Sequence, residues 1–490
     1  QVLCHYFNEL SFFVVYKEIM YKSEQLARSI RALIENGSWQ AHSKLPSLRE
    51  QVQRSGFSLM TVLNAYQELE AQGLVYSKQK SGYFVAGNLA TQELAHHPET
   101  SLNDHIEINS QVFNFLKAMQ DEDVVPLGSA FPCSDLLYNS KLMQIIAQHA
   151  KRKRSYLNSD SMPPGNLELR KIIASRYSLQ GIPTDANDIV ITSGALEALN
   201  LSLQALTKAG DYILLQQNIF YGAWQAAERL GLKVITIPEH PQHGFDLASF
   251  EAALNQYPIK VCWLMLNTHN PIGFTVSNEI KFEIAKLLHE HQVYLIEDDV
   301  YQELYYGVQK PLPMKYFDQH NYVLHCSSFS KTIGMGTRIG WVHVGKFSNA
   351  IQHLQLMSTL SASTLVQHAL VDFLSSHHYE KHLRQLRLQL EHNKQAFYQF
   401  LKAHLSQDCE IYYYSSGYFL WIKLPEHVNS TVLYQQLLQQ HIAIAPSSLF
   451  RLDVSSQNFI RINCSFDLDL SMQHALLKVA YLIQHQSDDC

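Results

Sequence analysis

The sequence predicts an α/β protein of two unequal units, a small helical one followed by a large one with a mainly parallel sheet, and three observations carry that expectation. At 490 residues, 46% hydrophobic and 17% charged, the chain is too long for one ordinary domain and has the composition of a packed, soluble protein. Apolar residues recur at helical spacing in the first part, whereas beyond about residue 123 short strand-like runs alternate with helical ones. Between the two, polar residues dominate and the periodicity fades. The expected layout is a leader at 1–19, a small domain at 20–87, a linker at 88–122 and a large domain at 123–490, whose small lobe occupies about 375–490.

Residues 1 to 19 are read as a leader and left out of the fold reasoning, since Met20 is followed at once by a helical pattern. Leu10 to Tyr16 is too short an apolar run to span a bilayer and has no Lys or Arg before it, so neither a secretion signal nor a membrane span is expected. The seven cysteines are scattered with no Cys-x-x-Cys pair, which indicates neither a zinc site nor a disulfide framework and fits the cytoplasm. His377, His378 and His382 lack acidic or cysteine company and read as solvated side chains, so no metal is expected. The net charge of −6 is uneven, with +3 between Met20 and Asn88 and −9 on the remainder, as in a reader of nucleic acid joined to a ligand domain.

In the small domain, Leu26, Ile30, Leu33 and Ile34 define a first helix between Ser23 and Gly37. Ser47-Leu48-Arg49-Glu50 is a capping box that starts a second, ended by Gly56. Ser58 caps a third, with Val62, Ala65, Tyr66 and Leu69 on its apolar face and Gly73 as its stop. Two β-prone runs, Leu74 to Tyr76 and Tyr83 to Val85, flank a turn carrying Lys78 and Lys80. Three helices and a basic hairpin make a winged helix-turn-helix.

In the large domain the strand candidates are Ile189 to Ile191, Tyr212 to Leu215, Val234 to Ile237, Val261 to Leu266, Val293 to Ile296 and Val323 to Cys326. Their alternation with helical segments argues for a mainly parallel sheet covered on both faces. Long helices at 351–374 and 379–404 follow, then strands at 418–422 and 459–462, which read as a separate α/β lobe.

Leu45-Pro46-Ser47, Arg49-Glu50, Thr61-Val62, Tyr66, Glu70, Gly73 and Gly82-Tyr83-Phe84-Val85 together resemble the N-terminal domain of GntR-type regulators. The resemblance implies DNA binding, with Ser58 and Thr61 forward on the helix that enters a major groove and Arg49, Lys78 and Lys80 neutralising phosphates. Leu59 and Met60 depart from the family, which usually has an arginine after the cap serine; neither makes a charge-assisted phosphate or guanine contact.

From about Pro126 to Phe466 the chain resembles fold-type I aminotransferases, and the joint arrangement resembles the MocR group of GntR regulators. The motif Ser328-Phe329-Ser330-Lys331, continuing to Arg338, carries most of the likeness. It implies pyridoxal 5'-phosphate as cofactor, with Lys331 as the residue that forms an imine with its aldehyde and Ser328, Ser330 and Arg338 on its phosphate. Ser193-Gly194-Ala195, between a strand and a helix, offers free amides to the same phosphate. By the same likeness Asn270 meets the phenolic oxygen, Tyr301 partners Asn270, Phe220 stacks on the ring, and Asp298 keeps the pyridine nitrogen protonated so that the ring withdraws electrons. Arg461, between Ile460 and Ile462, resembles the arginine that grips a substrate α-carboxylate, Gly128 lies in the substrate-gating segment, and Tyr156 resembles a tyrosine that reaches the partner subunit's phosphate, which implies a homodimer. The expectation is a transcription regulator that senses the cofactor or an amino-acid or keto-acid ligand. The alternative is a working aminotransferase carrying a secondary DNA-binding domain.

Overall fold

The computed structural model describes residues 22–23, 25–31, 33–34, 39, 42–72, 74–78, 82–86, 110–151, 162–240, 243–451 and 458–486. They fall into two compact units, Gln1–Asp104 and His105–Cys490.

In the small unit the first helix (α1, within 22–34) buries Leu26, Ile30 and Ile34, while Leu33 stays exposed. The second (α2, Leu48–Ser55) starts with the expected reciprocal cap, Glu50 N donating to Ser47 Oγ at 3.3 Å and Ser47 N to Glu50 Oε2 at 2.8 Å. Gly56, at φ 70°, ends it in a left-handed turn that few side chains tolerate. The third (α3, Leu59–Ala71) is capped by Ser58 and buries Val62, Ala65, Tyr66 and Leu69. Tyr66 also ties this helix to the turn before α2, its hydroxyl donating to Pro46 O at 2.9 Å. Strands β1 (Val75–Lys78) and β2 (Gly82–Val85) pair antiparallel with Val75 opposite Val85, which completes the winged helix-turn-helix.

The large unit is built on seven strands: β3 (Ile189–Thr192), β4 (Tyr212–Gln216), β5 (Lys233–Ile237), β6 (Ile259–Leu264), β7 (Tyr294–Asp298), β8 (Val323–Ser328) and β9 (Gly340–His343). Their order is β3-β9-β8-β7-β6-β4-β5, and only β9 runs against the rest. The alternation of side chains explains why these strands read as continuous apolar runs. Ile213, Leu215, Val261, Trp263 and Ile296 enter one core, while Leu214, Cys262, Leu264 and Leu295 enter another. Strand β9 escaped the sequence reading because it is four residues long and begins with Gly340 inside a glycine-rich motif.

The segment 110–122, assigned to the linker by its polar surroundings, folds with the large unit instead. Its helix Ser110–Ala118 puts Val112 and Phe115 into the large core, so burial of two apolar side chains outweighs the local composition. The helical stretch expected at 351–374 is two helices, Ser348–Ser358 and Thr364–Leu374, separated where Leu360 turns to φ 67°. After the long helix His378–His404 comes the small lobe, an antiparallel sheet of β10 (Glu410–Tyr412), β11 (Phe419–Lys423), β12 (Ala445–Pro446) and β13 (Phe459–Asn463) in the order β10-β11-β13-β12. Among the described residues no helix is long and apolar enough to cross a membrane.

Candidate functional site

Most candidate residues of the large unit leave the carboxyl ends of β3, β4, β6, β7 and β8, the edge where open parallel sheets gather ligand-binding loops. Strand β8 ends on Ser328, and one helical turn, Ser330–Ile333, then places Lys331 inside the protein with 9% of its surface exposed. Its Nζ donates to Ala130 O at 2.7 Å and lies 4.3 Å from the Phe131 ring and 5.5 Å from that of Tyr301. Burial, joined by the charge of Arg461, pulls this ammonium down to about 7.

Asp298 ends β7, is 3% exposed, and has an Oδ1 with no hydrogen-bond partner. Burial first and the neighbouring Asp299 second push its carboxyl up to about 7. Asp299 is held through Oδ2, which accepts from Asn267 Nδ2 at 3.1 Å and lies 3.0 Å from His325 Nε2, while its Oδ1 also lacks a partner. The loop after β6 carries Asn270, whose Nδ2 donates to Tyr301 OH at 3.5 Å and whose Oδ1 accepts from Arg461. Tyr301 is buried, and that burial raises its phenol well above the ordinary value.

Arg461 comes from the middle of β13 and is fully enclosed, at 1% exposure. It donates to Gly128 O at 2.6 Å, is sandwiched by Phe419 and Phe450 at 4.4 and 4.8 Å, and keeps an Nε without a partner. Gly128 lets the Ile444–Ala445 backbone pack against this segment, since a Cβ there would lie 2.5 Å from Ile444 C. Lys331, Asp298, Asn270, Tyr301, Arg461 and Gly128 therefore come together from five separate stretches of chain.

Ser193, Gly194 and Ala195 form the turn from β3 into the helix Ala195–Leu206. Gly194 sits at φ 96°, and a Cβ on it would come within 2.8 Å of the Arg338 guanidinium, which donates to Ser193 O at 3.0 Å. Gly340 serves the same corner, since its Cβ would strike the backbone of Gly194 and Ala195 at 2.5 and 2.6 Å. Ser328 and Ser330 are buried nearby in sequence to Lys331, and the Ser330 hydroxyl has no partner. Phe220 opens the helix after β4 and packs against the apolar cluster that contains Tyr301 and Tyr418. Tyr156 lies outside the described residues.

Sequence reasoning missed Ala130, Phe131, Tyr418, Phe419 and Phe450, which wall the lysine and the arginine. Ala130 and Phe131 come two and three residues after Gly128, so that segment was a usable signal; nothing local marks Phe450. His382, expected to be solvated, is buried and its Nε2 lies 2.5 Å from Thr332 O, one residue beyond the lysine. Among the described residues only Glu297, Asp299 and His325 bring three metal-ligating atoms together, all of them buried.

On the winged unit, Arg49, Ser58 and Lys78 are exposed, and Lys78 Nζ rests 5.3 Å from the Phe84 ring. Thr61 is corrected: it is 2% exposed, with its hydroxyl 2.8 Å from Ser58 Oγ, so its side chain is committed to the cap rather than offered to a base. Lys80 lies outside the described residues.

Fold and site define a winged helix-turn-helix protein whose larger unit has aminotransferase architecture. Residues 122–476 match the model of the class I and II aminotransferases, and residues 22–85 that of the bacterial regulatory proteins of the gntR family. The uncharacterized HTH-type transcriptional regulator YdcR of Escherichia coli is 46% identical over 95% of this chain and 100% of its own length. YjiR of the same organism, another uncharacterized HTH-type transcriptional regulator, is 32% identical over 94% and 98%. In fold the large unit is similar to the multiple substrate aminotransferase of Thermococcus profundus, with a TM-score of 0.72 at 20% identity over 78% of this chain and 96% of that one. The α-aminoadipate aminotransferase LysN of Thermus thermophilus, solved with N-(5'-phosphopyridoxyl)-L-leucine, gives 0.69 at 20% identity over 78% and 95%. The chain belongs to the MocR-type regulators, in which a GntR domain is fused to a class I and II aminotransferase domain.

Proposed function

We propose that the chain is a DNA-binding transcription regulator whose large domain holds pyridoxal phosphate and senses the cofactor or an amino-acid or keto-acid ligand, acting as a homodimer in the cytoplasm. The observation that carries this reading is the enclosure of the Lys331 amine, drawn toward neutrality, beside a buried Asp298 with an unmatched oxygen. The groups present fit the cofactor. The Ser330 hydroxyl lacks a partner, Gly194 lets the Arg338 guanidinium close on the turn where a Cβ would obstruct it, and the amides of that helix start favour a phosphate. When bound, pyridoxal phosphate supplies an aldehyde for an amine and a ring that withdraws electrons once its nitrogen is protonated.

The chain's own residues do the rest. Lys331 offers an amine that is largely neutral from about pH 7 upward, and the Asp298 carboxylate would pair with the ring nitrogen and keep it protonated. Asn270 and Tyr301 would donate to a phenolic oxygen, while Ser193, Gly194, Ala195, Ser328, Ser330 and Arg338 would hold the phosphate. Phe220 would cover the ring, and Arg461, whose Nε has no partner, would bind a carboxylate screened from water by the Phe419 and Phe450 rings. On the winged domain, Arg49, Lys78 and Lys80 meet phosphates while α3 lies in the major groove. Because Lys331, Asp298 and Arg461 are also what transamination requires, turnover is the second reading, tested by production of a keto acid from an amino acid and an acceptor.

The decisive experiment measures binding of the full chain to its own upstream DNA with and without pyridoxal phosphate and amino acids. A regulator changes affinity or footprint with ligand, because ligand must favour one arrangement of the dimer over another. Unchanged DNA binding accompanied by steady keto-acid release overturns the regulator reading.

A further inference from the structure

Helix α3 carries no lysine or arginine, and its only charges are Glu68 and Glu70 near its end. With Val62, Ala65, Tyr66 and Leu69 turned inward, the helical repeat puts Met60, Leu63, Asn64 and Gln67 on one outward strip, with Leu59 beside it. Leu59 is 53% exposed and Met60 58%, two large apolar side chains at the first turn of a capped helix. Among the described residues the cations of this unit lie elsewhere, at Lys22, Arg28 and Arg31 on α1, at Lys44, Arg49 and Arg54 around α2 and at Lys78 on the wing.

Base edges in a major groove offer one apolar feature, the thymine methyl, while adenine suits the two-pronged amide of Asn or Gln and guanine suits Arg or Lys. We infer that α3 reads A·T-rich half-sites, with Leu59 and Met60 packed on thymine methyls and Asn64 and Gln67 facing adenine. This rests on the DNA-binding reading above and adds to it which bases are recognised and by what chemistry. Phosphate contacts from the surrounding cations supply affinity, and the uncharged strip supplies discrimination.

The test uses the full-length protein and a random-sequence duplex library. Selected sites should contain thymine-bearing A·T steps in each half-site. In a selected duplex, replacing a contacted thymine by uracil, which removes only the methyl, should weaken binding about fourfold, the equivalent of ~0.8 kcal/mol for one buried carbon group. Against the matching variant, L59A or M60A, the same replacement should have no effect, since the contact is already gone. Both residues are exposed, so the variants fold, and their slope of log affinity against log salt should match the parent because neither touches a phosphate. Selection of G·C-centred half-sites, or equal binding of uracil and thymine duplexes, overturns the inference while leaving DNA binding intact. A change in oligomer size in L59A or M60A with unaltered site selection also overturns it, assigning the strip to a protein contact. Failure to enrich any duplex removes the DNA-binding reading and this one together.

Discussion

Replacing Arg461 by leucine separates two energies that the site keeps together. The guanidinium is enclosed at 1% exposure, and among the described residues it forms no ion pair; its partners are the neutral Asn270 Oδ1 and Gly128 O and the rings of Phe419 and Phe450. Removing a buried charge of this kind favours folding by about 1–4 kcal/mol. Leaving the two oxygens without donors costs about 1–3 kcal/mol each. These terms oppose each other, so the ligand-free protein should fall between about 2 kcal/mol more stable and about 5 kcal/mol less stable. The ligand term has nothing to oppose it. A two-pronged pair with a carboxylate is lost at about 1.5–3 kcal/mol per bond, so affinity should fall roughly 10²- to 10⁴-fold. Thermal denaturation of cofactor-loaded protein across a panel of α-amino and α-keto acids reads this directly. A ligand at about 100 times its Kd stabilises the parent by ~2.7 kcal/mol, and that shift should vanish in Arg461→Leu. Stabilisation of the variant at the same ligand concentrations as the parent would refute the assignment.

The pH dependence of cofactor uptake follows from Lys331, whose amine is held down to about 7 by burial and by Arg461. Uptake of pyridoxal phosphate, followed by visible absorption, should rise with pH up to about 7 and level off above it; a midpoint near that of a free lysine contradicts the enclosure. Above about 7 the unfolded chain holds more protons on this group than the folded one, so its contribution to stability rises with pH until the unfolded amine titrates near ~10.4, and Lys331→Met should remove that slope in denaturant titrations. Gly340→Ala drives a methyl into the backbone of Gly194 and Ala195 and should cost about 1–3 kcal/mol while weakening cofactor retention; unchanged melting and retention would show that the corner yields easily. Arg49→Ala should lower the slope of log DNA affinity against log salt by ~1 and weaken all sequences alike, and an unaltered slope places Arg49 off the phosphates.

The parallel strands were legible because each is buried on both faces and reads as an unbroken apolar run, as Ile213 to Leu215 and Val261 to Leu264 illustrate. Strand β9 was not, because Gly340 gives no apolar signal and its value lies in what it allows Gly194 to approach. The helix Ser110–Ala118 was placed in a linker because its partners, among them Tyr434, lie far along the chain. The same distinction holds at the site. Lys331, Asp298, Asn270 and Arg461 sit in motifs with chemistry of their own, whereas Phe131, Tyr418 and Phe450 are ordinary aromatics that matter only through where the segment after Gly128, the start of β11 and the turn after β12 bring them. Thr61 shows the opposite error, a residue in the motif whose hydroxyl the cap had already claimed.

The proposed attachment of pyridoxal phosphate to Lys331 is open to direct chemical trapping. Full-length protein incubated with pyridoxal phosphate, reduced with borohydride and digested should yield one modified peptide, with the added mass on Lys331 and none in Lys331→Ala. Label spread over exposed lysines, or a wild-type protein left unmodified, would contradict it.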